Sequence, residues 1–338
     1  MRRLSETKII LVTRPTRITE LKRRFNTRMQ AKFYVSHLGQ DFSDYEAEDE
    51  RYTEAVKTTQ HGLETLGRVQ VIDRSFLPNF VFGPEDVVVV LGQDGLVANT
   101  MKYLAGNPVI GVNPDPARWD GQLLPFRLAD IGKVVPEVLQ HRRPTKAVTM
   151  AQATLNTGQT LLAVNDLFIG PRTHTSARYV IEVGDERETQ SSSGVIVSTG
   201  LGSTGGLRSL LTGASAIVQG LGTARAREVQ PALEMVEQSR PRARAPSPGT
   251  RPQLVVKSEF AWDATHLWFT VREPFPSRTT QVGIIVGRVT VDTPLTITSQ
   301  MPEHGVIFSD GMETDFLEFR SGTKAIVTPA KSQGRLVV

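Results

Sequence analysis

Val87 to Leu91 is apolar at every position and ends abruptly in Gly92-Gln93-Asp94-Gly95. That pattern predicts a strand buried on both faces that delivers a carboxylate to its carboxyl end. Leu96 to Tyr103 can form a helix, and Asn107 to Asn113 is a second apolar run, so residues 87–113 read as one βαβ unit. Upstream, Ile9 to Thr13 predicts the first strand, Ile18 to Leu38 a basic helix, Tyr45 to Leu66 a second long helix and Val69 to Asp73 the strand it feeds. Asp130 to His141 reads as a closing helix, ended by Arg142-Arg143-Pro144. This alternation over residues 1–145 predicts a mostly parallel sheet covered by helices, a Rossmann-like α/β domain.

From Lys146 onward the pattern shifts to short Val-, Ile- and Thr-rich segments punctuated by Gly, Pro and Asp. Leu161 to Ile169, Ala177 to Val183, Gly194 to Ser198, Leu254 to Ser258, His266 to Val271, Val282 to Val291 and Leu295 to Ser299 read as strands, which predicts a β-rich C-terminal domain over 146–300. Two interruptions stand out within it. Ser203 to Leu211 follows a glycine-rich turn and reads as a helix, and the Arg/Pro/Ser-rich stretch 239–252 reads as a mobile loop. No internal repeat is visible.

Composition narrows the chemistry. The 338 residues are 39% apolar and 22% charged, as in an ordinary globular protein, and there is no cysteine. Disulfides, a thiolate nucleophile and a Cys metal site are therefore excluded. Ile9 to Val12 is too short for the apolar region of a signal peptide, and no stretch approaches the ~20 apolar residues of a membrane span. A cytoplasmic location and no membrane partner are expected. Net charge is +4, with basic clusters at Lys22-Arg23-Arg24 and Arg240 to Arg251. Without interleaved aromatics or a nucleic-acid motif, these read as a solvated helix face and a solvated loop, and no specific nucleic acid is expected.

Four constellations could carry chemistry. In open α/β sheets, ligands bind in the crevice beyond the carboxyl ends of the strands, where Asp94 would sit. Gly92 and Gly95 would let a phosphate approach the backbone, although Gly-x-Asp-Gly by itself also fits a structural turn with an acidic helix cap. Asn165-Asp166 interrupts an apolar stretch; such a pair needs partners or a ligand if buried, and suits ribose hydroxyls, but also fits a tight turn between strands. Ser198 to Gly206 is a hydroxyl- and glycine-rich turn opening a helix, suited to phosphate or ribose but lacking the Lys of a Walker A loop. Asp310-Gly311 alone signals a β-turn.

In order and spacing, these four resemble the NAD kinase family. Members carry Gly-Gly-Asp-Gly-Thr after a buried strand, then Asn-Glu, then a Gly-x-x-x-Ser-Thr-x-x-Gly-Ser-Thr-like stretch and a late Asp-Gly. Here these are Gly92 to Leu96, Asn165-Asp166, Gly194 to Thr204 and Asp310-Gly311. Pro108 to Pro116, Ser176 to Glu182 and Ser192-Ser193-Gly194 make the chain most similar to the mitochondrial-type NAD kinases and their bacterial relatives. The likeness runs from about residue 85 to 330, and the first 80 residues match in architecture only.

The resemblance implies a two-domain fold with the site in the cleft between domains. It implies ATP- and Mg²⁺-dependent phosphorylation of the adenosine 2′-hydroxyl of NAD, with Asp94 as general base. It places Gly92, Gln93 and Gly95 on the phosphates of ATP. Gly95, Asn165, Asp166, Ser193, Thr199, Gly202, Ser203 and Thr204 would hold NAD; metal ligands are not assigned. It further implies a homo-oligomer, dimer or tetramer, with sites completed by a neighbouring chain, and a segment 301–338 that packs back on the first domain. Departures are Gln93 for a Gly, Leu96 for Thr, Asp166 for Glu, Ser193 for Asp, and Gly205-Gly206 for Ala-Tyr. At positive φ, Gln93 would be strained by roughly 1–2 kcal/mol. Two alternatives follow: a kinase of related fold acting on a sugar or lipid hydroxyl, and a dinucleotide-binding regulator without catalysis.

Overall fold

The computed structural model of the chain describes residues 8–217 and 260–338. Its N-terminal part opens with β1 (Lys8–Thr13), α1 (Arg17–Phe25), α2 (Arg28–His37), α3 (Ser43–Glu64) and β2 (Arg68–Asp73). It continues through β3 (Val87–Leu91), α4 (Asp94–Met101), β4 (Pro108–Asn113), the short β5 (Phe126–Arg127) and α5 (Ile131–Leu139). The five strands lie parallel in the order β2-β1-β3-β4-β5, with Ile9 beside Val87 and Val88 beside Val109. The chain leaves β1 to one side to build β2 and returns on the other side for β3. The strand order thus reverses between β1 and β3, and the crevice beyond their carboxyl ends is the natural ligand position of such a sheet.

The helix expected over Ile18 to Leu38 is two helices. Asn26, at φ 64, turns the chain out of the helix, and the Thr27 side chain caps the next one by accepting the N–H of Gln30 at 3.2 Å. Asn26 sits at the centre of a tight γ-turn, closed by the Thr27 N–H donating to the Phe25 carbonyl at 2.8 Å, and Thr favours the cap, so two polar residues override the helical periodicity around them.

The C-terminal part supplies β6 (Thr145–Leu155), β7 (Thr160–Ala163), β8 (Asp166–Pro171), β9 (Ala177–Val183), β10 (Glu186–Ser192) and β11 (Val195–Ser198), then helix α6 (206–217). After it come β12 (Leu267–Val271), β13 (Val286–Val289), β14 (Leu295–Ser299), β15 (Gly305–Ser309), β16 (Met312–Glu318) and β17 (Lys324–Val337). Six of these form an antiparallel sheet in the order β13-β12-β11-β8-β15-β16. The others extend the large sheet as β10-β9-β14-β17, with β6 on β17 and β7 on β6. β17 runs parallel to β4, pairing Arg335 with Pro108 and Leu336 with Val109, so one sheet crosses the whole molecule. Between the two sheets lies a core that includes Leu167, Ile169, Val195, Phe269, Leu295 and Val327.

Several strand predictions change. The run Leu161 to Ile169 breaks at Val164-Asn165, where the chain leaves the large sheet and enters the smaller one. Val282 to Val291 shortens to β13, and the expected strand Leu254 to Ser258 and loop 239–252 lie outside the described residues. β10, with the sequence ERETQSS, has no apolar alternation, yet it pairs along its whole length with β9.

Candidate active site

The site is built outward from the end of β3. Gly92 lies close under Leu96: a Cβ there would stand 2.9 Å from Leu96 Cδ2, so that side chain would have to shift. Gln93 has φ −122 and ψ 162, ordinary extended backbone, so the strain expected for a side chain at this position does not arise. No side chain caps the first turn of α4, and the face of Gly95 is open, with no atom within 4 Å of where a Cβ would stand. A helix N-terminus of this kind presents free N–H groups to an anion.

Asp94, the first residue of α4, turns its carboxylate toward the loop after β4. It accepts the N–H of Leu123 at 2.7 Å and that of Gln122 at 3.3 Å. The loop reaches it because Gly111 interrupts β4: a Cβ there would stand 1.9 Å from the Leu123 carbonyl oxygen. The same loop is tied to α3 by Arg51–Asp115 at 3.0 Å and Arg118–Asp44 at 2.7 Å. Hydrogen bonds from Arg118 and then Arg17 hold the Asp44 carboxyl down to about 2.

On the opposite wall, the break between β7 and β8 is held by the β15–β16 turn. Asp310, at φ 53, accepts the N–H groups of Val164 at 3.0 Å, Asn165 at 2.6 Å and Asp166 at 3.4 Å. Consecutive N–H groups in this arrangement form an anion nest, here filled by the protein's own carboxylate. Burial pushes the Asp310 carboxyl up, against these hydrogen bonds, which pull it down. Behind the turn, the buried Lys102 at the end of α4 contacts Ser309 Oγ at 2.7 Å and Asp315 at 2.6 Å, and Tyr103 donates to Asp315. One short helix therefore carries Asp94 at its start and braces the Asp310 turn at its end.

The third wall is the glycine-rich turn after β11. A Cβ on Gly200 would stand 1.9 Å from the Ala261 carbonyl oxygen, and one on Gly202 would stand 2.1 Å from that of Asn165. These two glycines are there for close backbone approach. Thr199 Oγ1 donates to the Val164 carbonyl at 2.6 Å and accepts the Gly202 N–H at 3.1 Å, while Ser203 Oγ donates to the Gly200 carbonyl at 2.7 Å. Both hydroxyls are buried and committed to the turn.

Together these walls enclose a cleft of about 410 Å³. Of the residues singled out in the sequence, Asp94, Gly95, Asn165, Asp166, Gly202, Thr204, Asp310 and Gly311 line it. Leu201 and Gly205, within the Ser198 to Gly206 turn, also line it, as do Gln122 and Leu123, which were not anticipated. Gly92, Gln93, Thr199 and Ser203 are not among the residues that line it. Ser193 lies in the turn between β10 and β11, at the other end of β11 from Thr199, where its N–H donates to the Arg272 carbonyl at 2.9 Å.

Asp166 differs from the other two carboxylates in the cleft. Asp94 and Asp310 accept backbone N–H groups, whereas the Asp166 carboxylate has no hydrogen-bond partner among the described residues. Its Oδ2 lies 3.3 Å from where a Cβ on Gly206, at the start of α6, would stand. Burial, and then the Asp310 charge, push its carboxyl up to about 6. Among the described residues, no group of three or more His, Asp or Glu side chains is placed to hold a metal ion. Such a site fits Mg²⁺ as an ion carried on nucleotide phosphates, with no more than two protein carboxylates.

No protein-family model matches the chain, and no curated protein matches it in sequence. Its fold does match solved structures. It is similar to an NAD kinase from Archaeoglobus fulgidus in complex with ATP, with a TM-score of 0.52 at 13% identity over 98% of this chain and 93% of that one. It is also similar to yeast NADH kinase complexed with NADH, with a TM-score of 0.52 at 14% identity over 99% of this chain and 84% of that one. The fold is thus NAD kinase-like, with a Rossmann-like N-terminal region and a β-rich C-terminal part.

Proposed function

We propose that this protein transfers a phosphoryl group from ATP to the adenosine 2′-hydroxyl of NAD, giving NADP and ADP. The observation that carries the reading is the convergence of Asp94, Asn165-Asp166 and the Gly202–Thr204 turn on one cleft. They come from three distant segments, and the fold is one in which an ATP complex and an NADH complex are known.

In this reading Asp94 is the general base. Its carboxylate, oriented by the N–H groups of Gln122 and Leu123, keeps lone pairs free to accept the proton of the 2′-hydroxyl as that oxygen attacks the γ-phosphorus. The bond to the β–γ bridging oxygen breaks and ADP leaves with the electron pair. The uncapped start of α4 at Gly95, with Gly92 and Gln93 behind it, receives the donor phosphates. Asn165, Asp166, Gly202 and Thr204 hold the dinucleotide, while Thr199 and Ser203 shape the turn. Ser193, outside this cleft, would serve NAD only in a neighbouring copy of an oligomer. Mg²⁺, carried on ATP, supplies charge neutralisation of the phosphates.

The test is a coupled assay of NADP formation from NAD, ATP and Mg²⁺, run beside calorimetric NAD binding. Turnover is the expected result. Binding without turnover would transfer the site to a dinucleotide-sensing role, and absence of both would point to a sugar or lipid hydroxyl as acceptor.

A further inference from the structure

We propose that the α1–α2 hairpin docks this protein on an anionic lipid surface. α2 packs inward through Ala31 and Val35, so its opposite face should be polar in a helix that meets only water. Instead that face carries Met29, 83% exposed, and Phe33, 73% exposed, one turn apart. His37 stacks on Phe33 with ring centres 5.8 Å apart. Beside them, Phe25, Asn26, Met29, Gln30, Phe33 and Tyr34 surround an open hollow of about 540 Å³. A contiguous exposed apolar patch of this kind marks an interaction surface.

The surroundings of the patch say what covers it. Residues 21–40 contain Lys22, Arg23, Arg24, Arg28 and Lys32 and no Asp or Glu. Arg28 and Lys32 reach Glu46 on α3, at 3.0 and 3.8 Å. Arg24 lies over the rings of Phe25 and Tyr34, at 5.2 and 5.7 Å, while Lys22 and Arg23 are exposed on α1 with no acidic partner among the described residues. Apolar side chains at the centre and cations at the rim are the composition of helices that lie in the interface of an acidic membrane. A second copy of this chain is a poor occupant, because a twofold contact would set the same cations against each other.

The experiment is co-sedimentation of the full chain with phosphatidylcholine vesicles, with and without about a third phosphatidylserine. The protein is expected to pellet with the acidic vesicles, to stay in solution with the neutral ones, and to be released by salt of about 0.5 M. Phe33→Glu with Met29→Glu, and separately Arg23→Glu with Arg24→Glu, are each expected to weaken partitioning by at least about tenfold. All four side chains are exposed, so loss of fold does not confuse the result. Failure to pellet with acidic vesicles, equal pelleting with neutral ones, or a wild-type oligomer that the Phe33→Glu and Met29→Glu variant dissociates would each overturn the proposal. The last outcome would assign the patch to contact between copies.

Discussion

Asp310 holds Asn165 in place from 145 positions away in the chain: its carboxylate accepts the Asn165 N–H at 2.6 Å and the neighbouring Val164 N–H at 3.0 Å. The turn that carries Asp310 therefore fixes the segment where the chain changes sheets. Asp310→Ala leaves these N–H groups unsatisfied, at about 1–3 kcal/mol each, and places Ala at a positive φ that disfavours it. The expected loss is at least about 3 kcal/mol in urea unfolding, together with loss of NAD binding. Asp310→Asn keeps one acceptor oxygen and a residue that tolerates the conformation, so it should cost no more than about half as much. Equal losses for the two variants would refute the nest as the stabilising feature.

Asp166 predicts a pH dependence with opposite signs for folding and for function. Its folded-state carboxyl lies near 6 against an ordinary 3.8, so the folded state holds the proton more tightly than the unfolded state. Its contribution to stability is present below pH ~4, declines as pH rises from ~4 to ~6, and is absent above that range. Asp166→Asn should raise stability at pH 7 by at most about 3 kcal/mol and leave stability at pH 3.5 nearly unchanged. If the ionised group holds ribose hydroxyls, the KM for NAD should rise as pH falls through ~6 in the wild type and be flat in the variant. Unfolding curves at both pH values and KM measured from pH 5 to 8 check the two halves separately.

Gly111 predicts an effect transmitted through backbone. Gly111→Ala drives a methyl group against the Leu123 carbonyl, 1.9 Å from the ideal Cβ position, so the loop must lift and its N–H groups must leave Asp94. We expect a fall in kcat of on the order of 10-fold or more with the KM for ATP little changed, plus ~1–3 kcal/mol of destabilisation from overpacking. A variant with wild-type kcat would show that the loop does not orient Asp94.

Asp94→Asn preserves size and keeps one acceptor oxygen, which can hold the shorter bond, from the Leu123 N–H at 2.7 Å, while the longer bond from Gln122 at 3.3 Å to the other oxygen is lost. NAD binding by calorimetry should therefore be retained, while turnover falls by a factor on the order of 10² or more. Unchanged turnover removes Asp94 from the chemistry.

The parallel sheet and the Asp94 turn were legible in the sequence because an apolar run ending at Gly92 has few other solutions. Asn165-Asp166 was visible only as an anomaly. Its meaning depends on Asp310, a pairing that periodicity cannot reveal because it is made by backbone N–H groups of any residue type. Gln122 and Leu123 were invisible for the same reason, although a glycine in the middle of β4, Gly111, was the signal that another backbone lies against that strand. Thr199 and Ser203 mislead in the opposite direction: their hydroxyls look suited to a ligand but are committed to the turn. The helix break at Asn26-Thr27 was written in cap chemistry and masked by the hydrophobic pattern around it.

Gly95 offers a test that separates folding from phosphate recognition. A methyl group at this position meets no protein atom within 4 Å, and its φ lies outside the positive region, so Ala is free of steric penalty there. Replacing Gly by Ala in the first turn of α4 removes backbone freedom from the unfolded chain and favours the helix, so Gly95→Ala should stabilise the protein by ~0.5–1 kcal/mol. If the donor phosphates sit on the uncapped N–H groups of α4, that same methyl group intrudes on them. The KM for ATP should then rise by roughly 10-fold or more, with NAD affinity much less affected. A variant that is more stable and unchanged in KM for ATP would place the donor phosphates elsewhere. One that is more stable and poorer in ATP alone would show that the residue is glycine for the ligand, at a cost to the fold.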